Sequence, residues 1–178
     1  MLITTSRRPC HLARVLCREL VRILPGSEYV PRGAKKIEEV ASLAKQRGHD
    51  RVLLVNSILG QVGELRFLEV GDTWRWLDAL VKLSGVRINR GKVKPRRPGE
   101  VKIYAADAGA AEFGRWLGKV WGIGCSDRLP ESGLVVFLTS AGGLRVQFRL
   151  MPEAEEVGPV LEVASFGSLF GGRGDGSG

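Results

Sequence analysis

Residues 4–9, Thr-Thr-Ser-Arg-Arg-Pro, place three hydroxyls and two guanidinium groups within six positions. Such groups hold phosphate, either on a nucleotide being hydrolysed or along a nucleic-acid backbone. A nucleotide-hydrolase loop wraps phosphate with glycine N–H groups, neutralises it with a lysine and presents a Ser or Thr to magnesium. This turn has neither Gly nor Lys. The glycines of "GSLFGGRG" have no helical pattern behind them, which a dinucleotide site requires. Cys10, His11 and Cys17 offer thiol and imidazole, but no fourth ligand lies nearby, and the three cysteines, Cys125 included, read as buried thiols. His49 precedes an apolar run with no evident Ser or Cys partner and reads as a solvated loop histidine. The acid pairs Glu38–Glu39 and Glu155–Glu156 read as solvated faces rather than acid/base pairs. These patterns suggest no catalytic residue, metal or cofactor, and the chain reads as a non-enzyme.

The phosphate chemistry therefore points to binding, and the charge agrees. The 178 residues carry a net charge of +8, with a pI of about 9.9, which favours a polyanionic partner. The distribution is more telling than the sum. Residues 82–102 hold eight basic side chains against Glu100 alone, and residues 1–33 hold Arg7, Arg8, Arg14, Arg18, Arg22 and Arg32 against Glu19 and Glu28. Eight nearly unopposed cations repel one another unless a polyanion is present. Arg14, Arg18 and Arg22 recur at i, i+4 and i+8, while Arg7 and Arg8 stand at a helix start, where free N–H groups and the helix dipole already favour an anion. The plainer reading is that Thr5 or Ser6 only caps the helix and the arginines keep it soluble.

The elements that would position these groups alternate. "MLITTS" reads as a strand, with Pro9 in the first turn of a helix whose Leu12, Val15, Leu16, Leu20, Ile23 and Leu24 form one apolar stripe ended by Pro25 and Gly26. A second helix is expected at about 35–47, with Ile37, Val40, Ala41 and Ala44 inward. "RVLLV" reads as a buried strand, and Gly60 and Gly63 bracket a turn into "ELRFLEV". "TWRWL" suggests its antiparallel partner, although Trp74, Leu77, Leu80 and Val81 also fit a helix. The second part echoes the first: strand "VKIYAA", N-cap Asp107, a helix with Phe113, Trp116, Leu117, Val120 and Trp121 on its apolar side, then strands "LVVFL", "LRVQFRL" and "PVLEVASF". Two βα-containing halves meeting near residues 80–100 are expected, with a flexible Gly-rich tail over 168–178. No stretch approaches the ~20 apolar residues of a membrane span, and no apolar signal core opens the chain, so a cytoplasmic protein with no membrane partner is expected.

"LITTSRRPCHLARVLCREL" followed by "ILPGSEYVPRG" resembles the start of the Brix-domain proteins of ribosome biogenesis. Their pattern runs strand, Thr-Thr-Ser-Arg-x-Pro, helix, Leu/Phe-Pro, then Arg-Gly. Thr4, Thr5, Ser6, Arg7, Pro9, Pro25, Arg32 and Gly33 match in order. The resemblance continues through "DRVLLVN", Gly60 and "LRFLEVGDTWRWL", and more loosely to about residue 166, and the chain looks like a compact archaeal, Imp-four-like member. It departs from the pattern at Cys10, where Ser is usual, in "NSILGQVG", which lacks the loop's basic residue and proline, and at Asp72, where proline is common.

The resemblance implies an α/β fold of two similar halves, about 1–85 and 86–167, each like the anticodon-binding domain of class II tRNA synthetases and together forming one Brix domain over 1–167. It favours a strand over a helix at Trp74–Val81. It implies an RNA-binding factor for pre-rRNA processing or small-subunit assembly, acting without chemistry of its own on ribosomal RNA or pre-rRNA, with guide RNA or other assembly proteins as further partners. The expected phosphate-binding residues are Ser6, Arg7, Arg8, Arg14, Arg18, Arg22, Arg32, Arg87, Arg90, Lys92, Lys94, Arg96 and Arg97. The alternative is a protein-binding scaffold within a pre-ribosomal particle that uses Trp74, Trp76, Trp116 or Trp121 as exposed anchors.

Overall fold

The computed structural model describes residues 1–89 and 99–169. The chain runs β1 (Leu2–Thr5), α1 (His11–Ile23), β2 (Glu28–Tyr29), α2 (Ile37–Gln46), β3 (Arg51–Ile58), β4 (Gln61–Val70) and β5 (Trp74–Arg87). It continues β6 (Val101–Ala105), α3 (Ala108–Trp121), β7 (Cys125–Ser126), β8 (Gly133–Thr139), β9 (Arg145–Met151), β10 (Glu155–Glu156) and β11 (Val160–Gly167).

All strands join one mixed sheet in the order β2-β1-β3-β4-β5-β11-β9-β8-β6-β7, with β10 added on β9. β1 runs parallel to β2 and β3, and β6 runs parallel to β7 and β8; the other pairs are antiparallel. The order on one side of the β5–β11 pair therefore repeats on the other. That central pair is held from Val160↔Arg87 to Gly167↔Leu80.

The apolar pattern explains the layers. In β3 the run Val52–Val55 is buried throughout, as a strand covered on both faces must be. Leu53 and Val55 join the core beneath α1 and α3, whereas Val52 packs with Leu2, Leu68 and Val70 beneath Val40, Ala41 and Ala44 of α2. The periodicity of α1 seats Ala13, Leu16, Cys17, Leu20 and Ile23 on the sheet, each leucine contributing about 1.5–3 kcal/mol by burial. Burial pushes the Cys17 thiol up to about 12, so it remains a thiol and packs as a small apolar group.

Several local expectations are revised. Pro9 precedes the N-cap, which is Cys10, rather than entering the first turn of α1. Neither Thr5 nor Ser6 caps that helix. Gly63 lies within β4, and the β3–β4 turn is formed by Leu59 and Gly60 alone, both at positive φ (50° and 79°). Trp74–Val81 is strand, as the family resemblance favoured, because its pairing with β4 from Glu64↔Lys82 to Val70↔Trp74 satisfies its backbone. Cys125 is exposed at the sheet edge instead of buried. His49 is not solvated: only 13% of its side chain is accessible, between the Met1 amine at 3.2 Å and Glu28 at 3.4 Å.

Candidate nucleic-acid interface

The turn after β1 divides its hydroxyls from its guanidiniums. Thr4 is buried and its hydroxyl donates to the Val30 carbonyl at 2.7 Å. Ser6 N–H donates to Val55 at 3.0 Å, and Ser6 Oγ accepts from Ser57 N–H at 3.3 Å. Ser57 Oγ in turn accepts from Cys10 N–H at 3.0 Å, fixing the start of α1 against the end of β3. The hydroxyls thus hold the fold, while Arg7 and Arg8 stand exposed. Helix α1 has no acidic residue in its first turn and no side-chain cap, so its N-terminal dipole is not neutralised locally. Ser57, absent from the sequence expectation, is a positioning residue here; lying 47 positions from Cys10, it left no local signal.

Arg14, Arg18 and Arg22 are exposed on the outer side of α1. Arg22 Nε donates to Glu19 at 2.9 Å, which offsets its charge. Arg14 and Arg18 lie within electrostatic reach of Tyr29 on the edge strand β2. Burial pushes the Tyr29 hydroxyl above its ordinary pKa, Cys17 adds to the rise, and Arg18 and Arg14 oppose it.

Arg32 is only 8% exposed. Its Nε donates to the Lys35 carbonyl at 2.6 Å, so it braces its own loop. Burial lowers its pKa from the usual guanidinium value, repulsion by Arg7 adds to the lowering, and Glu38 opposes it. It offers a ligand charge more than surface. Arg87 is exposed, with Glu156 at 4.0 Å as a distant ion pair. Arg90, Lys92, Lys94, Arg96 and Arg97 lie outside the described residues, as does 170–178 of the expected tail.

The topology brings Arg7, Arg8 and Arg87 to one end of the sheet. Thr5 pairs with Val55, Val55 with Leu65, and Leu65 with Val81. The C-terminal end of β1, carrying Arg7 and Arg8, therefore faces the same way as the C-terminal end of β5, where Arg87 stands. Three strand spacings of ~4.8 Å separate β1 from β5, roughly 14 Å. β6 also starts at this end, because it runs parallel to β8 and so antiparallel to β9 and β5.

Among the described residues no group of three or more His, Cys, Asp or Glu could hold a metal ion. Glu156 is not simply solvated: it accepts from Asn89 at 2.7 Å and Gln147 at 3.1 Å. Trp121 is buried and Trp74, Trp76 and Trp116 are half-buried, so no pair of them forms an exposed patch.

No family model matches the chain. Curated relatives do: it is 40% identical over 91 residues to a protein of Pyrococcus abyssi named "Probable Brix domain-containing ribosomal biogenesis protein", covering 51% of this chain and 40% of that one. A protein of the same name from Aeropyrum pernix is 33% identical over 115 residues, covering 61% of this chain and 63% of the relative. The chain thus spans about two fifths of the length of the first relative. The crystal structure of a probable ribosomal biogenesis protein from Aeropyrum pernix superposes with a TM-score of 0.80 at 26% identity, covering 94% of this chain and 98% of that one. An archaeal Imp4-like protein, Mil, shares the fold with a TM-score of 0.68 at 19% identity. These relatives are named as ribosome-biogenesis factors, not as enzymes. Over half to three fifths of its length in sequence, and over nearly all of it in fold, the chain is similar to archaeal proteins named as probable Brix domain-containing or probable ribosomal biogenesis proteins.

Proposed function

We propose that the chain is an RNA-binding ribosome-biogenesis factor that assists pre-rRNA processing or small-subunit assembly by holding RNA through its phosphates. The observation that carries this reading is the gathering, at one sheet end, of exposed Arg7 and Arg8, which have no ion-pair partner among the described residues, with exposed Arg87. Positioning cations supply affinity to any RNA backbone, while sequence choice comes from base contacts. Guide RNA and assembly proteins are further partners on this reading, the location is cytoplasmic, and the action is non-enzymatic.

The same reading takes residues 1–167 as one Brix domain with halves at about 1–85 and 86–167, each related to the anticodon-binding domain of class II tRNA synthetases. The repeated strand order on either side of the β5–β11 pair supports it.

Binding to a single-stranded rRNA fragment, followed across a salt titration, tests the proposal. If about five phosphates are neutralised, the log–log slope is near −3.5, from about −0.7 per phosphate on single strands. A slope near zero, or no binding at low salt, overturns it.

A further inference from the structure

The β3–β4 hairpin ends in a side chain that neither the fold nor RNA binding uses. Leu59 is 99% exposed and Ile58 beside it is 41% exposed; the other exposed large apolar residue among those described, Leu129, is elsewhere. Leu59 has φ 50° and Gly60 φ 79°. Two successive left-handed residues in a two-residue loop are the type I′ pattern, for which Asn-Gly is the favoured pair. Leucine is a poor choice there on both counts, because its Cβ crowds the left-handed backbone and its whole side chain stands in water.

Beside the tip lies a groove of about 470 Å³, with Ile58, Val62, Leu83 and Ala164 as apolar lining and Glu64 and Lys82 as ionisable groups. Gly63 lets Ile58 lie flat on the strand, since a Cβ at that position would meet the Ile58 side chain at 3.0 Å. The Glu64 carboxylate is already engaged by Arg66 at 2.8 Å and Asn56 at 3.1 Å. Lys82 is exposed, with no ion-pair partner among the described residues. The Ser6–Ser57 hydrogen bond brings the Arg7–Arg8 turn alongside, one residue from Ile58. The groove is thus apolar in its floor, with the Glu64 carboxylate held by Arg66 and Asn56 and the Lys82 ammonium exposed at its edge.

We propose that this hairpin tip and groove dock an acidic segment of a partner protein, whose apolar side chains pack on Leu59, Ile58 and the groove floor while its carboxylates face Lys82 and the neighbouring arginines. An RNA strand fits less well: an aliphatic tip has no π face for a base, and a floor of Val, Leu and Ala gives phosphate nothing. The apolar contacts and Lys82 do not depend on the RNA reading, whereas the Arg7–Arg8 turn is shared with it.

The probe is a short synthetic peptide in which Asp and Glu residues flank a central Leu-Phe pair, with an Asn/Gln counterpart as control. Fluorescence anisotropy should show the acidic peptide binding at least about tenfold more tightly than the control, a difference of ~1.4 kcal/mol. Amide NMR shifts should be confined to residues 57–63, 82–84 and 164. Leu59→Asn should weaken the acidic peptide about tenfold or more while keeping or raising the thermal midpoint, because Asn suits the turn; Lys82→Gln should weaken it several-fold. Binding of the rRNA fragment should be unchanged in Leu59→Asn. Absence of peptide binding, equal binding by Leu59→Asn, shifts at another surface, or a lowered midpoint would each overturn the proposal. Loss of RNA binding in Leu59→Asn would make the tip part of the RNA surface instead. Failure of wild-type RNA binding would leave the peptide result standing.

Discussion

Within the Thr-Thr-Ser-Arg-Arg-Pro turn, side chains adjacent in sequence serve opposite ends: the hydroxyls are tied to Val30 and Ser57, and the guanidiniums are left in water. Replacing Arg7 and Arg8 with Glu should therefore weaken RNA binding several-fold or more, while stability stays within about 0.5 kcal/mol, as is usual for exposed sites. The same reversal at Lys35 and Lys36 should do much less. Lys35 reaches back to the Pro31 carbonyl and Lys36 N–H donates to Glu39 at the start of α2, so this pair serves its own loop. Filter binding at low salt with thermal melts checks both pairs, and equal losses would mean that only net charge matters. Asp107 offers a separate check on the second part of the chain. It accepts from Ser140 Oγ and N–H, Thr139 Oγ1 and Ala110 N–H, and these bonds, the Ser140 pair foremost, hold its carboxyl down to about 2 from the ordinary 3.8. A depressed folded-state pKa means stabilisation that is present above the ordinary value and lost as pH falls through about 2. The stability difference between wild type and Asp107→Asn should shrink over that interval, and an NMR titration midpoint near 3.8 would contradict it.

Helix α3 shows where local preference yields to packing. Gly114 and Gly118 lower its intrinsic helicity by roughly 1 kcal/mol each relative to Ala. Yet a Cβ at Gly118 would meet Cys125 Sγ at 2.7 Å and the Ile123 carbonyl at 2.9 Å. The helix lies too close to β7 and the 122–124 turn for a side chain there, and Phe113, Leu117 and Trp121 supply the burial that compensates. Leu117→Ala should cost about 2–5 kcal/mol, and Gly118→Ala should destabilise as well, despite its better propensity. Denaturant unfolding measures both, and a more stable Gly118→Ala protein would show that the close approach is not real. The same contrast explains what was legible. Helices α1 and α3 and strands β3, β8 and β9 have a period or an unbroken apolar run to read. β2, β7 and β10 have two residues each, no period, and exist only because a neighbouring strand offers hydrogen bonds. Charge clusters were visible along the chain, and the Glu19–Arg22 pair follows from helical i,i+3 spacing, but the burial of Arg32 was not visible, since it depends on how its loop folds against the rest of the chain.

At the scale of the whole molecule, the sheet brings Arg7–Arg8 and Arg87, distant in sequence, to the same end. Arg7 follows β1 directly, while Arg87 ends β5, six residues beyond Val81 in the row that contains Thr5. Across three strand spacings and roughly four residues of strand rise, the two are on the order of 20 Å apart. Stacked nucleotides advance ~3.4 Å along one strand, so about six are needed to bridge that span. If one RNA engages both segments, affinity for oligonucleotides should climb steeply up to about that length and then rise only by the statistical gain of extra registers. Charge reversal of Arg7 and Arg8 should shift the dependence to that of a shorter site and reduce the magnitude of the salt slope by about 0.7 for each phosphate that is no longer neutralised. Oligonucleotides of graded length, titrated by anisotropy against wild type and the Arg7/Arg8 variant, provide the measurement. A smooth dependence with no change near six nucleotides, identical in both proteins, would mean that the two basic segments bind separately and that their meeting at one sheet end has no part in RNA recognition.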